Sequence, residues 1–193
     1  MSVKAGQSHF PDVAVAVVPY SNAWPHQFAD VKRALESVLL DVEVVSIEHV
    51  GSTSVPGLAA KPILDIDVIV EALHIKSAIE ALESVGYVHR GDLGIAGREA
   101  FDAPDDRPRR HVYVCAAGTL NLRNHLAVRD VLQRRDDLRD AYAAVKLKLA
   151  ADPTMDIDTY MARKSAVLQR VLAESDLTPD EREQILRLND PHA

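Results

Sequence analysis

A chain of 193 residues, 47% hydrophobic and 26% charged, has the length and composition of one soluble domain spanning 1–193, and no stretch is apolar enough for a membrane helix. Its formal net charge of -7 speaks against general nucleic-acid binding, which rests on clustered Lys and Arg displacing counterions from phosphates. A single cysteine, Cys115, excludes an internal disulfide, and with no Cys pair or His at ligand spacing there is no zinc signature.

Residues 1–11 are polar, carry no secretory apolar core and read as a flexible tail, so a cytoplasmic protein is expected. The β-branched run 13–18 predicts a strand, broken by Pro19, Ser21 and Asn22, with Pro25 in a first helical turn. Phe28, Val31, Leu35, Val38 and Leu39 then recur at helical spacing. Residues 42–50 predict a second strand, 51–62 a loop, and 63–70 the strongest strand of the chain. Ile75, Ile79 and Leu82 mark a helix ending near Gly86. The stretch 90–110, rich in Gly, Asp, Pro and Arg, predicts a long surface loop, and 111–116 another strand, in which Cys115 reads as a buried small hydrophobe. Helices are predicted at 122–134, 137–150 and 157–174, with a short one after Pro179. Strands first and helices after imply an α+β domain: a small mixed sheet, helices packed on one face or end of it, and a helical C-terminal half.

In the strand 63–70 the side chains alternate, so Asp65 and Asp67 share one face with Ile63 and Ile69. Their Cα atoms lie about 6.6 Å apart, from which two carboxylates can converge on one hard cation such as Mg²⁺ or Mn²⁺. Like charges that close raise one pKa unless a cation stabilises both anions. A lone Asp-x-Asp is as common on the solvent face of an edge strand; the preceding Gly51-Ser52-Thr53-Ser54-Val55-Pro56-Gly57 shifts the balance. Its glycines allow close backbone approach, and its hydroxyls and amides can hold phosphate oxygens. No Gly-Lys-Ser/Thr closes this loop, which disfavours P-loop kinase chemistry.

Hydrophobic-Gly-Ser, a short spacer, then Asp-hydrophobic-Asp-hydrophobic resembles the nucleotidyltransferase superfamily related to DNA polymerase β. More closely, the chain resembles the GrpB family, also called UPF0157, described as predicted nucleotidyltransferases. The resemblance runs through 19–25, 47–67, 111–114 and 128–132, and Tyr160 with Lys164. It implies a sheet of the nucleotidyltransferase type and metal-dependent transfer of a nucleoside monophosphate from a nucleoside triphosphate to a small acceptor. Gly51 and Ser52 would cradle the phosphates, with Thr53 and Ser54 beside them, while Asp65 and Asp67 would hold the metal. The template usually has a third carboxylate on a neighbouring strand, where this chain has His111 and Tyr113; Glu48 and Asp102 are the other candidates. Similar domains occur joined to dephospho-CoA kinase, which implies a partner protein in coenzyme A metabolism. The alternative is a non-catalytic nucleotide- or phosphate-binding accessory domain.

Supporting residues each have a bland reading beside the functional one. Lys61 neutralises a phosphate or pairs with Asp65. His49, next to the loop, contacts ligand or is a hydrogen-bonded structural residue. His111 shares a strand face with Tyr113 and would suit proton transfer, or is a satisfied core histidine. His125 with Arg129, and Tyr160 with Lys164, are four apart on helices and would bring charge to a triphosphate if those faces turn toward the loop. Lys146 joins them or is solvated. Trp24 and Tyr20 stack on a base or, more in keeping with their place at a strand-to-helix corner, pack as core.

Overall fold

The strongest predicted strand is the centre of the molecule. In the computed structural model, which describes residues 17–150 and 157–189 but not the side chains of 149–150, 157–164 and 188–189, this strand is β2, Leu64–Val70. It lies between β1, Val44–Val50, and β5, Arg110–Ala116. The edge beyond β5 is completed by β4, Arg98–Asp102, and β3, Val88–His89, so the order is β1-β2-β5-β4-β3. β2 and β5 run parallel and the other neighbours antiparallel, the mixed sheet expected.

Leu64, Ile66, Val68 and Val70 bury one face of β2 together with Val112, Val114 and Phe101. Onto this floor pack Val31 and Leu35 of α1, Ala23–Val38, and Ala78 and Leu82 of α2, Ile75–Ser84. The opposite face is not left to solvent. Leu122 and Leu126 of α3, Leu120–Arg134, cover Ile69 and Cys115, so helices lie on both faces rather than on one. The reason is that α3 has its own apolar stripe and follows β5 directly, which carries it across the second face. α4, Asp136–Ala150, and α5, Ile157–Ala173, extend the cover through a cluster that includes Val55 and Leu58 of the loop after β1. α6, Pro179–Asn189, closes against α3 and α5. No helix among the described residues is long and apolar enough to cross a membrane.

Two sequence expectations change. The stretch 90–110 contains a strand, β4, whose Arg98, Glu99 and Asp102 disguise the buried pair Ala100 and Phe101. Its two carboxylates are paired across the sheet edge, Glu99 with His89 at 2.7 Å and Asp102 with Arg90 at 2.6 Å. The strand at 13–18 falls largely outside the described residues; Val18 alone forms a bridge, to Ala60. Gly86 follows α2 at φ 92°, as a helix-ending glycine should.

Candidate functional site

Strand register decides which side chains meet. Glu48 lies opposite Asp67 across β1 and β2, while His111 and Tyr113 of β5 lie beside Asp65 and Asp67. Arg98 of β4 is opposite Cys115. Directly paired residues share a sheet face, so Glu48, Asp65, Asp67, His111, Tyr113 and Arg98 stand together on the face that α3 partly covers.

Each of the two carboxylates has an imidazole partner. Asp65 Oδ1 is 3.0 Å from Nδ1 of His111, and Asp67 Oδ2 is 2.8 Å from Nδ1 of His125, which reaches down from α3. Asp67 is fully buried and Asp65 one-third exposed, so only the first carries the full cost of desolvation. Burial pulls the His125 pKa down, but its hydrogen bond to Asp67 and the charges of Asp67 and Asp65 outweigh that and raise it. The contact with Asp67 therefore favours the protonated form of His125. The other oxygen of Asp67, Oδ1, is buried without a hydrogen bond. Between the two imidazoles lies Tyr113, its ring 6.4 Å from each and capped by the Arg98 guanidinium at 4.7 Å. Burial and the neighbouring Asp65 charge push the Tyr113 hydroxyl well above its usual pKa, and burial and Asp67 do the same to Cys115.

The glycine loop is packed directly against this pair. Gly51 adopts φ 69° and ψ -171°, a conformation open in practice to glycine, and a Cβ placed there would sit 2.2 Å from Asp65 Oδ2. A short 3-10 turn, Ser52–Ser54, follows, and Ser54 Oγ donates back to the Gly51 carbonyl at 2.6 Å. Thr53 is buried, and its hydroxyl donates to the Ile63 carbonyl at 3.3 Å, tying the start of the loop to its end. With that proton committed, the 2.9 Å contact between Thr53 Oγ1 and His49 Nε2 has the imidazole as donor. His49 also stacks on Phe28 at 4.8 Å, and burial pulls its pKa down to about 4. It is a neutral clamp on the loop, in line with the structural reading of that residue.

The GrpB protein family profile matches residues 14–174. The chain belongs to the GrpB family. It is 33% identical over 156 residues to UPF0157 protein YqkA of Bacillus subtilis, covering 80% of this chain but 45% of that one, so it spans about half of that relative. With UPF0157 protein BH1888 of Halalkalibacterium halodurans it shares 33% identity over 178 residues, covering 91% of this chain and 90% of the other. The crystal structure of conserved protein GrpB from Enterococcus faecalis is similar at a TM-score of 0.69 and 31% identity, covering 88% of this chain and 98% of that one. A more distant likeness, of fold alone, is to the GLD-2/RNP-8 complex: TM-score 0.52, 12% identity, 91% of this chain and 70% of that one.

Within this GrpB fold the remaining candidates separate. Arg129 does turn toward the loop, but its Nη1 donates to Glu48 Oε2 at 2.7 Å and to the His49 carbonyl at 3.2 Å, while Nε donates to Asp130 at 2.7 Å. Its charge is matched by carboxylates of the protein itself. Burial lifts the Glu48 pKa, and hydrogen bonds from Arg129 and Ser46 with the charges of Arg129 and Lys32 more than reverse this, leaving it lowered. Lys61 is exposed at the end of the loop. Lys146 is buried with its ammonium 5.4 Å from the Tyr142 ring, on the helix that packs over Val55 and Leu58. Tyr160 and Lys164 lie outside the residues whose side chains are described. Trp24 is core, with Tyr20 edge-on at 5.2 Å. Asp102 is on β4 across from His111 and pairs with Arg90.

Among the described residues no three His, Cys, Asp or Glu side chains are grouped to hold a metal. The residues still fit a Mg²⁺ of the sparsely ligated kind, which takes one or two carboxylates and fills its shell with water and phosphate oxygens. The orphaned buried Oδ1 of Asp67 is the observation that favours this, since a buried anionic oxygen without a donor calls for a cation. Sequence reasoning missed Arg98 altogether. The only signal was the two-residue alternation hidden in a stretch dominated by turn residues.

Proposed function

We propose that the chain transfers a nucleoside monophosphate from a nucleoside triphosphate to a small hydroxyl-bearing acceptor. The observation that carries the reading is the close approach of Gly51 to Asp65, which supports a phosphate-binding role for the loop beside the carboxylates. The motif resemblance and the GrpB membership support it. Gly51 and Ser52 would bind the triphosphate by backbone approach and hydroxyl, with Lys61 and Lys164 as candidate charges; Thr53 and Ser54, whose hydroxyls are spent on the Ile63 and Gly51 carbonyls, shape the loop, and Arg129 positions β1 through Glu48. Asp65 and Asp67 would hold Mg²⁺ (or Mn²⁺), which when bound draws charge from the phosphoryl oxygens. The acceptor oxygen bonds to the α-phosphorus as the bond to the β-phosphate oxygen breaks and pyrophosphate leaves. The hydroxyl proton passes to the carboxylate and imidazole of Asp65 and His111.

A second reading is a nucleotide- or phosphate-binding accessory domain without turnover, serving a partner protein in coenzyme A metabolism. The pairing of both carboxylates with imidazoles favours it, since each carboxylate already has a hydrogen-bond partner within the chain. Calorimetric titration of the full chain with several Mg-nucleotides, followed by a pyrophosphate-release assay over an acceptor panel, separates the two. Release that Asp65→Asn abolishes without unfolding supports the enzyme, and binding with no release supports the accessory domain. Absence of any metal-dependent nucleotide binding sinks the enzyme, and absence of binding to nucleotide and inorganic phosphate alike sinks both.

A further inference from the structure

Arg98 stands apart from the other nitrogen-bearing side chains around the carboxylates. His111 and His125 are paired with Asp65 and Asp67, and Arg129 with Glu48 and Asp130. Arg98 makes no ion pair among the described residues, and its Nε–H is buried without an acceptor. A guanidinium held over an aromatic ring with a donor unspent costs free energy in the free protein and is a preorganised fork for an oxyanion. Its position is informative as well. The glycine loop reaches the carboxylates from the β1 and β2 side, at Asp65, whereas Arg98 comes from β4, beyond Tyr113. Donor loop and Arg98 therefore flank Asp65 and Asp67 from opposite sides.

We propose that Arg98 binds an anionic group on the acceptor, so the acceptor carries a carboxylate or phosphate besides its reacting hydroxyl. This rests on the nucleotidyl-transfer reading. The separation of the two groups is bounded by the structure: with the His111 ring 6.4 Å from the Tyr113 centroid and the guanidinium 4.7 Å from it, no more than about 11 Å divides them. The acceptor is small, lying across the Tyr113 ring with its hydroxyl at Asp65 and His111 and its anion at Arg98. Discrimination follows, because a neutral analogue leaves the guanidinium unpaired again.

The test is an NMR titration of the full chain with inorganic phosphate and, separately, with acetate, reading the Arg98 Nε–H signal and the Tyr113 ring signals. Both should move with one or both anions; response to phosphate alone marks a phosphorylated acceptor, and response to acetate a carboxylate. Arg98→Gln should weaken the anion effect at Tyr113 by about tenfold or more, and Arg98→Lys by less. Asp65→Asn should leave that effect in place while abolishing turnover. An unmoved Arg98 signal, or equal anion affinity in Arg98→Gln, overturns the inference even if Mg-nucleotides bind. An anion response at Arg98 with no nucleotide binding to the unaltered chain instead overturns nucleotidyl transfer, and with it the acceptor assignment.

Discussion

Gly51→Ala is the sharpest probe of the site, because one methyl group confronts both the loop and the carboxylate. The backbone at φ 69° and ψ -171° costs a residue with a Cβ about 1–3 kcal/mol. The new methyl would also lie 2.2 Å from Asp65 Oδ2 and 2.9 Å from its Cγ, more than an ångström short of ordinary contact with the oxygen, so the carboxylate must swing away from the loop. For a chain of this length a loss of about 2 kcal/mol lowers Tm by roughly 4–8 °C. The strain and the clash can be told apart by a double-mutant cycle with Asp65→Ala, measured by urea unfolding. Truncating Asp65 removes the two closest atoms and leaves only its Cβ at 3.0 Å, so Gly51→Ala should cost less in that background. A coupling of at least about 1 kcal/mol is expected for side chains in contact. Additivity within about 0.5 kcal/mol refutes the packing of loop against carboxylate and removes the main support for a shared phosphate and metal site.

Three further outcomes follow from the same geometry. His125→Ala strands the fully buried Asp67 and should cost about 3 kcal/mol in urea unfolding at pH 6. Because the His125 pKa is raised on folding, that cost is complete below the unfolded value of about 6.5 and shrinks as pH rises through the folded value; an equal cost at pH 9 contradicts the ion pair. His49 is depressed to about 4, so its contribution is present above the unfolded pKa and erodes as pH falls toward the folded one, by up to about 3 kcal/mol. His49→Gln keeps a donor for Thr53 but does not titrate, so its stability relative to the unaltered chain should rise between pH 7 and pH 4.5; a flat difference goes against the neutral clamp. Phe101→Ala empties a fully buried position on a strand that sequence reading took for loop, and should lower unfolding free energy by about 3–5 kcal/mol; a loss under 1 kcal/mol places Phe101 outside the core.

Much of the fold was legible along the chain because it is written in short-range periodicity. The two-residue period of β2 set Asp65 and Asp67 on one face, and the four-residue spacing of Val31 and Leu35 marked α1. The glycine loop was legible because Gly51 is the residue type its left-handed φ requires. β4 was not, because Arg98, Glu99 and Asp102 are charged, and only the neighbours of Glu99 and Asp102 across the sheet reveal why those acids are tolerated there. Nor does any local pattern say that the partner of Asp67 is His125, 58 residues away, or that Arg129 is spent on Glu48, 81 residues away. Local chemistry alone thus determined most of the elements, β4 excepted, together with the paired acids and the loop beside them. Which side chain pairs with which acid, and that Arg98 has no carboxylate partner among the described residues, was decided by strand register and by the docking of α3 across the sheet, both set by burial of apolar surface between segments remote in sequence.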